Sequence, residues 1–148
     1  MKIKLIALMI LLLPATVFSG ANSSPQADGK NLLPECPNTP NCVSSLADNP
    51  GKRVDPFPVK GNPSRSVETL ADIIRSMSRT TIVSESETRI EAEFRSILGF
   101  VDDILFVASP EGDVIHVRSA SRKGSWDLGV NRRRVEKIRT MYLGNKVH

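Results

Sequence analysis

Between Val67 and Met77 the apolar residues Val67, Leu70, Ala71, Ile74 and Met77 fall at three- and four-residue steps, which puts them on one helix face. Ser64 or Ser66 would cap this helix, and it is expected to run to about Ser78. The period then changes. Thr80 to Ser84 is short and β-branched, and Ser84 to Glu87 reads as a turn. From Thr88 to Arg95, Ile90, Ala92 and Phe94 alternate with Arg89, Glu91, Glu93 and Arg95, as in a strand with one buried and one wet face. Asp103 to Ala108 is apolar on both faces, as an inner strand would be. Pro110, Gly112 and Asp113 make a turn, and Val114 to Ser121 is a fourth strand. Val114, His116, Arg118 and Ala120 share one of its faces, Ile115, Val117, Ser119 and Ser121 the other, and Arg118 is expected to end the buried-facing series. Asn131 would cap a last helix through Leu143, with Val135, Ile138 and Tyr142 inward and Gly144 ending it. Short connections make the sheet antiparallel. The fold class is therefore α+β: helix, four-stranded antiparallel sheet, helix, in a two-layer sandwich with both helices on one face.

The chain before Ser64 follows no such period. Lys2 and Lys4 precede an uncharged apolar run, Leu5 to Leu13; Pro14 breaks it, and Ser19, Gly20 and Ala21 follow. That order is a secretory signal peptide, assigned to residues 1–21, with cleavage after Ser19 or Ala21. The run is shorter than the roughly 20 residues a spanning helix needs, so a permanent anchor is the lesser alternative. Neither cysteine stands at its end, as a bacterial lipid anchor would require. Residues 22–31 read as a disordered leader. Leu32 to Pro63 holds Pro34, Pro37, Pro40, Pro50, Pro56, Pro58 and Pro63 and is expected to be extended or turning coil laid over the body. Val54, Phe57 and Val59 would pin it. Residues 32–148 form a single domain, exported to the periplasm or the extracellular space.

Charge adds an asymmetry. From Arg118 onward nine basic residues face two acidic ones, while the body before it is acidic. A basic end on an acidic body suggests an anionic small molecule or envelope component as partner, with a solvated helix face as the plainer reading. Nucleic acid is not expected, because Trp126 and Tyr142 offer the basic end little to stack on bases. Cys36 and Cys42 lie in CPNTPNC. In an exported chain they predict a disulfide, Pro37 and Pro40 favouring the turn. A redox pair or a metal site are the alternatives, but the spacing is not CxxC and the histidines are His116 and His148 alone. No metal or other cofactor is expected.

Three segments carry a resemblance: CPNTPNCVSS at Cys36 to Ser45, GFVDD at Gly99 to Asp103, and RSASRKGSWDLGVNRRRVEKIR at Arg118 to Arg139. In order and spacing they resemble the bacterial and plastid family called domain of unknown function 1499, over nearly all of the chain after the leader. That family's pattern has an aliphatic residue at Lys123 and an aromatic at Ser125; here Trp126 would take the aromatic's place. The resemblance implies domain boundaries and residues of interest, and no established reaction.

The segment SRKGSWDLGVNRRR leaves a strand, turns at Gly124 and enters a helix near Asn131, whose unpaired N–H groups suit an anion. Arg118, Arg122 and Arg132 are expected to converge there, their forked guanidiniums matched to phosphate or carboxylate, with Asp102, Asp103 and Asp127 orienting them and Asn131 capping. The competing reading is structural: Asp127 and Asn131 cap, and Asp102 or Asp103 pairs with Arg118. Asp102 and Asp103 are adjacent and would point to opposite faces of a strand, so they make no carboxylate pair. His116 beside Ser119 or Ser121 lacks the third group of a triad. The expected function is a noncatalytic envelope or periplasmic domain that binds an anionic ligand or partner. A small hydrolase using Asp102, Asp103, Asp127 and the arginines is the alternative.

Overall fold

The computed structural model describes residues 32–124 and 128–144. The expected signal peptide and leader, Asp127 and the last four residues lie outside the described residues. In chain order the elements are β1 (Cys42–Ser44), β2 (Phe57–Pro58), α1 (Pro63–Ser76), β3 (Thr80–Glu85), β4 (Arg89–Arg95), β5 (Val101–Ala108), β6 (Val114–Ser121) and α2 (Val130–Tyr142).

The sheet has six strands rather than the expected four. All pairs are antiparallel, in the order β1-β6-β5-β4-β3, with β2 also on β6. The two extra strands come from the proline-rich segment. Cys42 to Ser44 pairs with Arg118 to Ala120, and Phe57 and Pro58 pair with Val114 and Ile115, so both lie along one edge of β6. Proline hides such strands from a reading by pattern, yet it is tolerated on a sheet edge where its missing N–H faces away from the ladder.

Both helices cover one face. Ile90, Ala92 and Phe94 of β4, Ile104 and Phe106 of β5, and Ile115 and Val117 of β6 are buried against Val67, Leu70, Ala71 and Ile74 of α1 and Val135, Ile138 and Tyr142 of α2. Phe57 fills this core from the edge, edge-on to Phe106 (centroids 5.3 Å apart) and to Tyr142 (5.7 Å). The proline-rich strap is held from α2 as well. Arg139 donates to the carbonyls of Asp55 and Pro56 and lies over the Phe57 ring, and the Tyr142 hydroxyl donates to the Pro58 carbonyl (2.8 Å). A strap poor in ladder partners thus has its carbonyls answered by side chains. On the opposite face Leu33 packs against Leu105 and Val107, which is why β5 is apolar on both sides.

Three local expectations change. Asn62, not Ser64 or Ser66, caps α1: its Oδ1 accepts the Arg65 N–H (2.8 Å) and Pro63 opens the helix. Ser66 turns back to the Lys60 backbone instead. In β6 the core face is Ile115, Val117 and Ser119, so Arg118 and His116 point to the other side of the sheet. Asn131 does not cap α2. Gly129, at φ 76°, is the N-cap and makes no side-chain bond, and Asn131 sits buried in the first turn. Cys36 and Cys42 are joined in a disulfide.

Candidate functional site

The three quoted segments meet at one end of the sheet, where β6 stops, β5 starts and α2 begins. Their meeting point is a polar cluster inside the molecule. Asn131 Oδ1 accepts the Ser119 hydroxyl (2.6 Å) and an N–H of Arg134 (2.6 Å). Its Nδ2 donates to the Asn41 carbonyl (3.1 Å) and to Ser121 Oγ (3.0 Å). An amide side chain offers two donors and two acceptor lone pairs, so all four are used. Asn41, directly before the second cysteine, donates from its own amide to the Gly124 carbonyl (2.5 Å) and accepts the Thr39 hydroxyl (2.7 Å). Arg134 closes the cluster from α2. Its guanidinium pairs with Asp102, both side chains about nine-tenths buried, and stacks over the Phe94 ring at 4.8 Å. Gly129 makes this possible. A left-handed residue without a capping side chain starts the helix two positions earlier than expected and turns Asn131 inward.

The remaining expected residues are not brought together. Arg118 lies on the sheet face away from the helices, half-buried, where it donates to the Glu35 carbonyl (3.4 Å) while its Nε meets no partner. Burial lowers its pKa, against the opposing pull of Asp103. Arg122 reaches Asp103 (2.8 and 2.9 Å) and Glu93 (2.6 Å) on that same face, and these hydrogen bonds raise its pKa further. Arg132 points elsewhere and donates to the carbonyls of Gly51 and Arg53, both at 2.8 Å. The expected convergence of Arg118, Arg122 and Arg132 is therefore not formed: the period of β6 puts Arg118 opposite α2, and the proline strap takes Arg132. Asp102 and Asp103 do point to opposite faces. The carboxylate that meets an arginine of α2 is Asp102, through Arg134 rather than Arg118. Asp127 lies outside the described residues.

His116 pairs with neither Ser119 nor Ser121. Its Nδ1 is 3.2 Å from Ser45 Oγ, which also accepts the Val117 N–H (3.0 Å), so this contact fastens the turn after β1 to β6. Burial holds the His116 pKa below its usual value, with Asp113 and Glu111 pulling the other way. A cleft of about 500 Å³ runs beside Ser45, lined by Glu35, Ser44, Asp48, Lys52 and Arg53 among others, and no residue of the β6–loop–α2 set lines it. Among the described residues no group of His, Cys, Asp or Glu is placed to hold a metal ion. The cluster residues missed by pattern were Asn41, Ser119, Ser121 and Arg134. Arg134 stands three residues after Asn131, the spacing that puts two side chains on one helix face, and this was the available signal.

The fold and site define a two-layer α+β domain whose sheet end is locked by a buried Asn–Arg–Asp cluster under a basic surface. The chain matches the family model described as Protein of unknown function (DUF1499) over residues 32–141, and it belongs to that family. No curated protein and no solved structure matches it.

Proposed function

We propose that the chain is an exported, noncatalytic domain that binds an anionic ligand or partner through its basic strand–loop–helix end. The observation that carries this reading is the state of charge at the start of α2. Its first turn holds no acidic residue, and Arg132, Arg133 and Arg134 follow one another there. Of these three, only Arg134 meets a carboxylate among the described residues. Arg132 and Arg133 donate to backbone carbonyls, Arg133 to that of Leu128 at 2.7 Å. Carbonyls take up some of a guanidinium's donors and carry no formal charge to balance it, and the helix N-terminus adds its own partial positive charge. Export is supported by the charge, apolar run and small residues at the start of the sequence and by the Cys36–Cys42 disulfide. No helix among the described residues is long and apolar enough to cross a membrane. The hydrolase alternative gains no support, since Asp102 and Asp103 face opposite sides of the sheet.

Thermal melts with and without inorganic phosphate, at constant ionic strength, test the reading. Wild type should be stabilised by phosphate, and an Arg132→Ala/Arg133→Ala variant should lose that increment whatever its own melting temperature. An equal phosphate increment in both proteins would remove the basis for the site.

A further inference from the structure

The hairpin joining β4 to β5 carries its largest side chains outward. Ile97 is 82 % exposed, Leu98 81 % and Phe100 54 %. Turns are ordinarily built from small and polar residues, so three large apolar side chains around one glycine need an explanation. The turn is closed on itself. The Ser96 N–H donates to the Phe100 carbonyl (2.8 Å), the Gly99 N–H to the Ser96 carbonyl (3.1 Å) and the Phe100 N–H to Ser96 Oγ (3.0 Å). Gly99 adopts φ 83°, which lets it close. These donors would keep their partners if the tip left water. Leu128, also exposed, stands at the same end of the sheet, just before α2.

Cations gather around the hairpin end of the sheet. Arg79, Arg95, Arg122, Lys123 and Arg133 surround the hairpin end. Arg95 is bonded through its backbone to Arg79, and the Arg122 N–H donates to the Val101 carbonyl at the base of the tip. Among the described residues Glu93 and Asp103 are set among them, and Asp102 pairs with Arg134 at the same end. At the opposite end, where β3 turns into β4 and β5 into β6, Glu85, Glu87, Glu111 and Asp113 stand with Arg75, Arg89, Arg65 and Lys60, so charge there is mixed. The apolar tip thus stands within a collar in which, among the described residues, cations outnumber carboxylates.

We infer that this end docks on an anionic lipid bilayer: Ile97, Leu98 and Phe100 enter the interfacial region while the basic collar meets headgroup phosphates. The inference rests on the anionic-partner reading above and narrows the partner to a lipid surface. A stable protein complex buries about 800 Å² on each side. Three side chains on a convex hairpin fall well short of that. A bilayer, by contrast, places hydrocarbon directly beneath phosphate, the layering this end presents in reverse.

The test is flotation of the chain, in the form the producing cell makes, with vesicles of phosphatidylcholine alone or mixed with phosphatidylglycerol. Wild type should float with the mixed vesicles and stay behind with the neutral ones. Ile97→Ser/Leu98→Ser should weaken partitioning about tenfold or more, since two exposed aliphatic side chains lose their transfer to the interface. Lys123→Glu/Arg95→Glu should weaken it by a similar factor, and more so at low salt. Thermal melts of both variants should match wild type to within a few degrees, because the substituted side chains are exposed. Failure of wild type to float with anionic vesicles, or equal flotation of the tip variant, overturns the inference. If flotation fails while phosphate still stabilises the protein, the lipid face falls and the anionic-partner reading stands; if both fail, both fall. Vesicle-free self-association of wild type that the tip variant abolishes would assign the tip to a second copy and overturn the lipid assignment.

Discussion

Replacing Asn131 by alanine removes the junction of the polar cluster and leaves its shell in place. The change deletes two acceptor contacts and two donor contacts, to Ser119, Arg134, Asn41 and Ser121. Ser119 is fully buried and Asn41 nearly so, so the Ser119 hydroxyl and the Asn41 carbonyl cannot turn to bulk water. Ser119 keeps one contact, from Arg134 at 3.1 Å, and the Asn41 carbonyl keeps the Ser121 N–H at 3.0 Å. Leaving a buried polar group without its partner costs about 1–3 kcal/mol, and retained contacts place each loss at the lower end. Two buried groups and a loosened Arg134 together give about 3–4 kcal/mol. That is a large share of the roughly 5–15 kcal/mol by which a domain is stable. Ser121→Ala removes one of the same contacts from a half-exposed position and should cost about 1 kcal/mol or less. Urea unfolding followed by far-ultraviolet circular dichroism, at an unchanged slope against denaturant, measures both. If Asn131→Ala costs no more than Ser121→Ala, the cluster is not cohesive and the account of α2's anchoring is wrong.

Denatured, non-reduced protein taken from the exported fraction should show no alkylatable thiol, and reduction should lower stability by about 2 kcal/mol for so short a loop, read from paired urea curves. His116 has a folded-state pKa below its usual 6.5, so its neutral form is favoured in the fold; the stability it contributes is complete above that value and lost as pH falls through the lower folded pKa. Urea midpoints between pH 7.5 and 5 should therefore fall more steeply for wild type than for His116→Gln, and parallel slopes would refute the assignment. Leu128 is exposed and held at φ 53°, a left-handed conformation that a leucine adopts at a cost. Leu128→Asn should stabilise the protein by about 0.5–1 kcal/mol by thermal or urea melts, since asparagine tolerates that region and no core contact is lost.

The long periodic elements were legible because burial on one face leaves a period in the sequence. The α1 face from Val67 to Ile74 and the β4 alternation from Ile90 to Phe94 both appear as read. Edge strands leave no such mark. Cys42–Ser44 is buried throughout and lies among prolines, so neither alternation nor composition separates it from coil. The phase of β6 was misread for a related reason. Its core face ends in Ser119 and Ser121, as polar as Arg118 on the other side, because the core at this end is a hydrogen-bonded cluster. The capping role expected of Asn131 falls to Gly129. Asparagine before a basic helix is the usual capping pattern, and only the glycine two residues earlier, which adopts a left-handed conformation, moves the start of the helix ahead of it.

The same residues explain how a helix can begin with three arginines at its positive end. Cations there are unfavourable by a few tenths of a kcal/mol or more each. Asp102 offsets one of them, and the contact is secure because it is nearly buried and its guanidinium is stacked on Phe94. Arg132 is retained for a different reason: its two bonds to Gly51 and Arg53 hold a loop that has few ladder partners of its own. Structural use and anion binding are therefore not competing accounts of this basic run. A guanidinium fastened to carbonyl oxygens has its direction fixed, yet its charge still acts on whatever approaches the helix end. For the anion proposed here, fixing the geometry this way would lower the entropy lost on its arrival, and carboxylates in place of those carbonyls would have cancelled the field that attracts it.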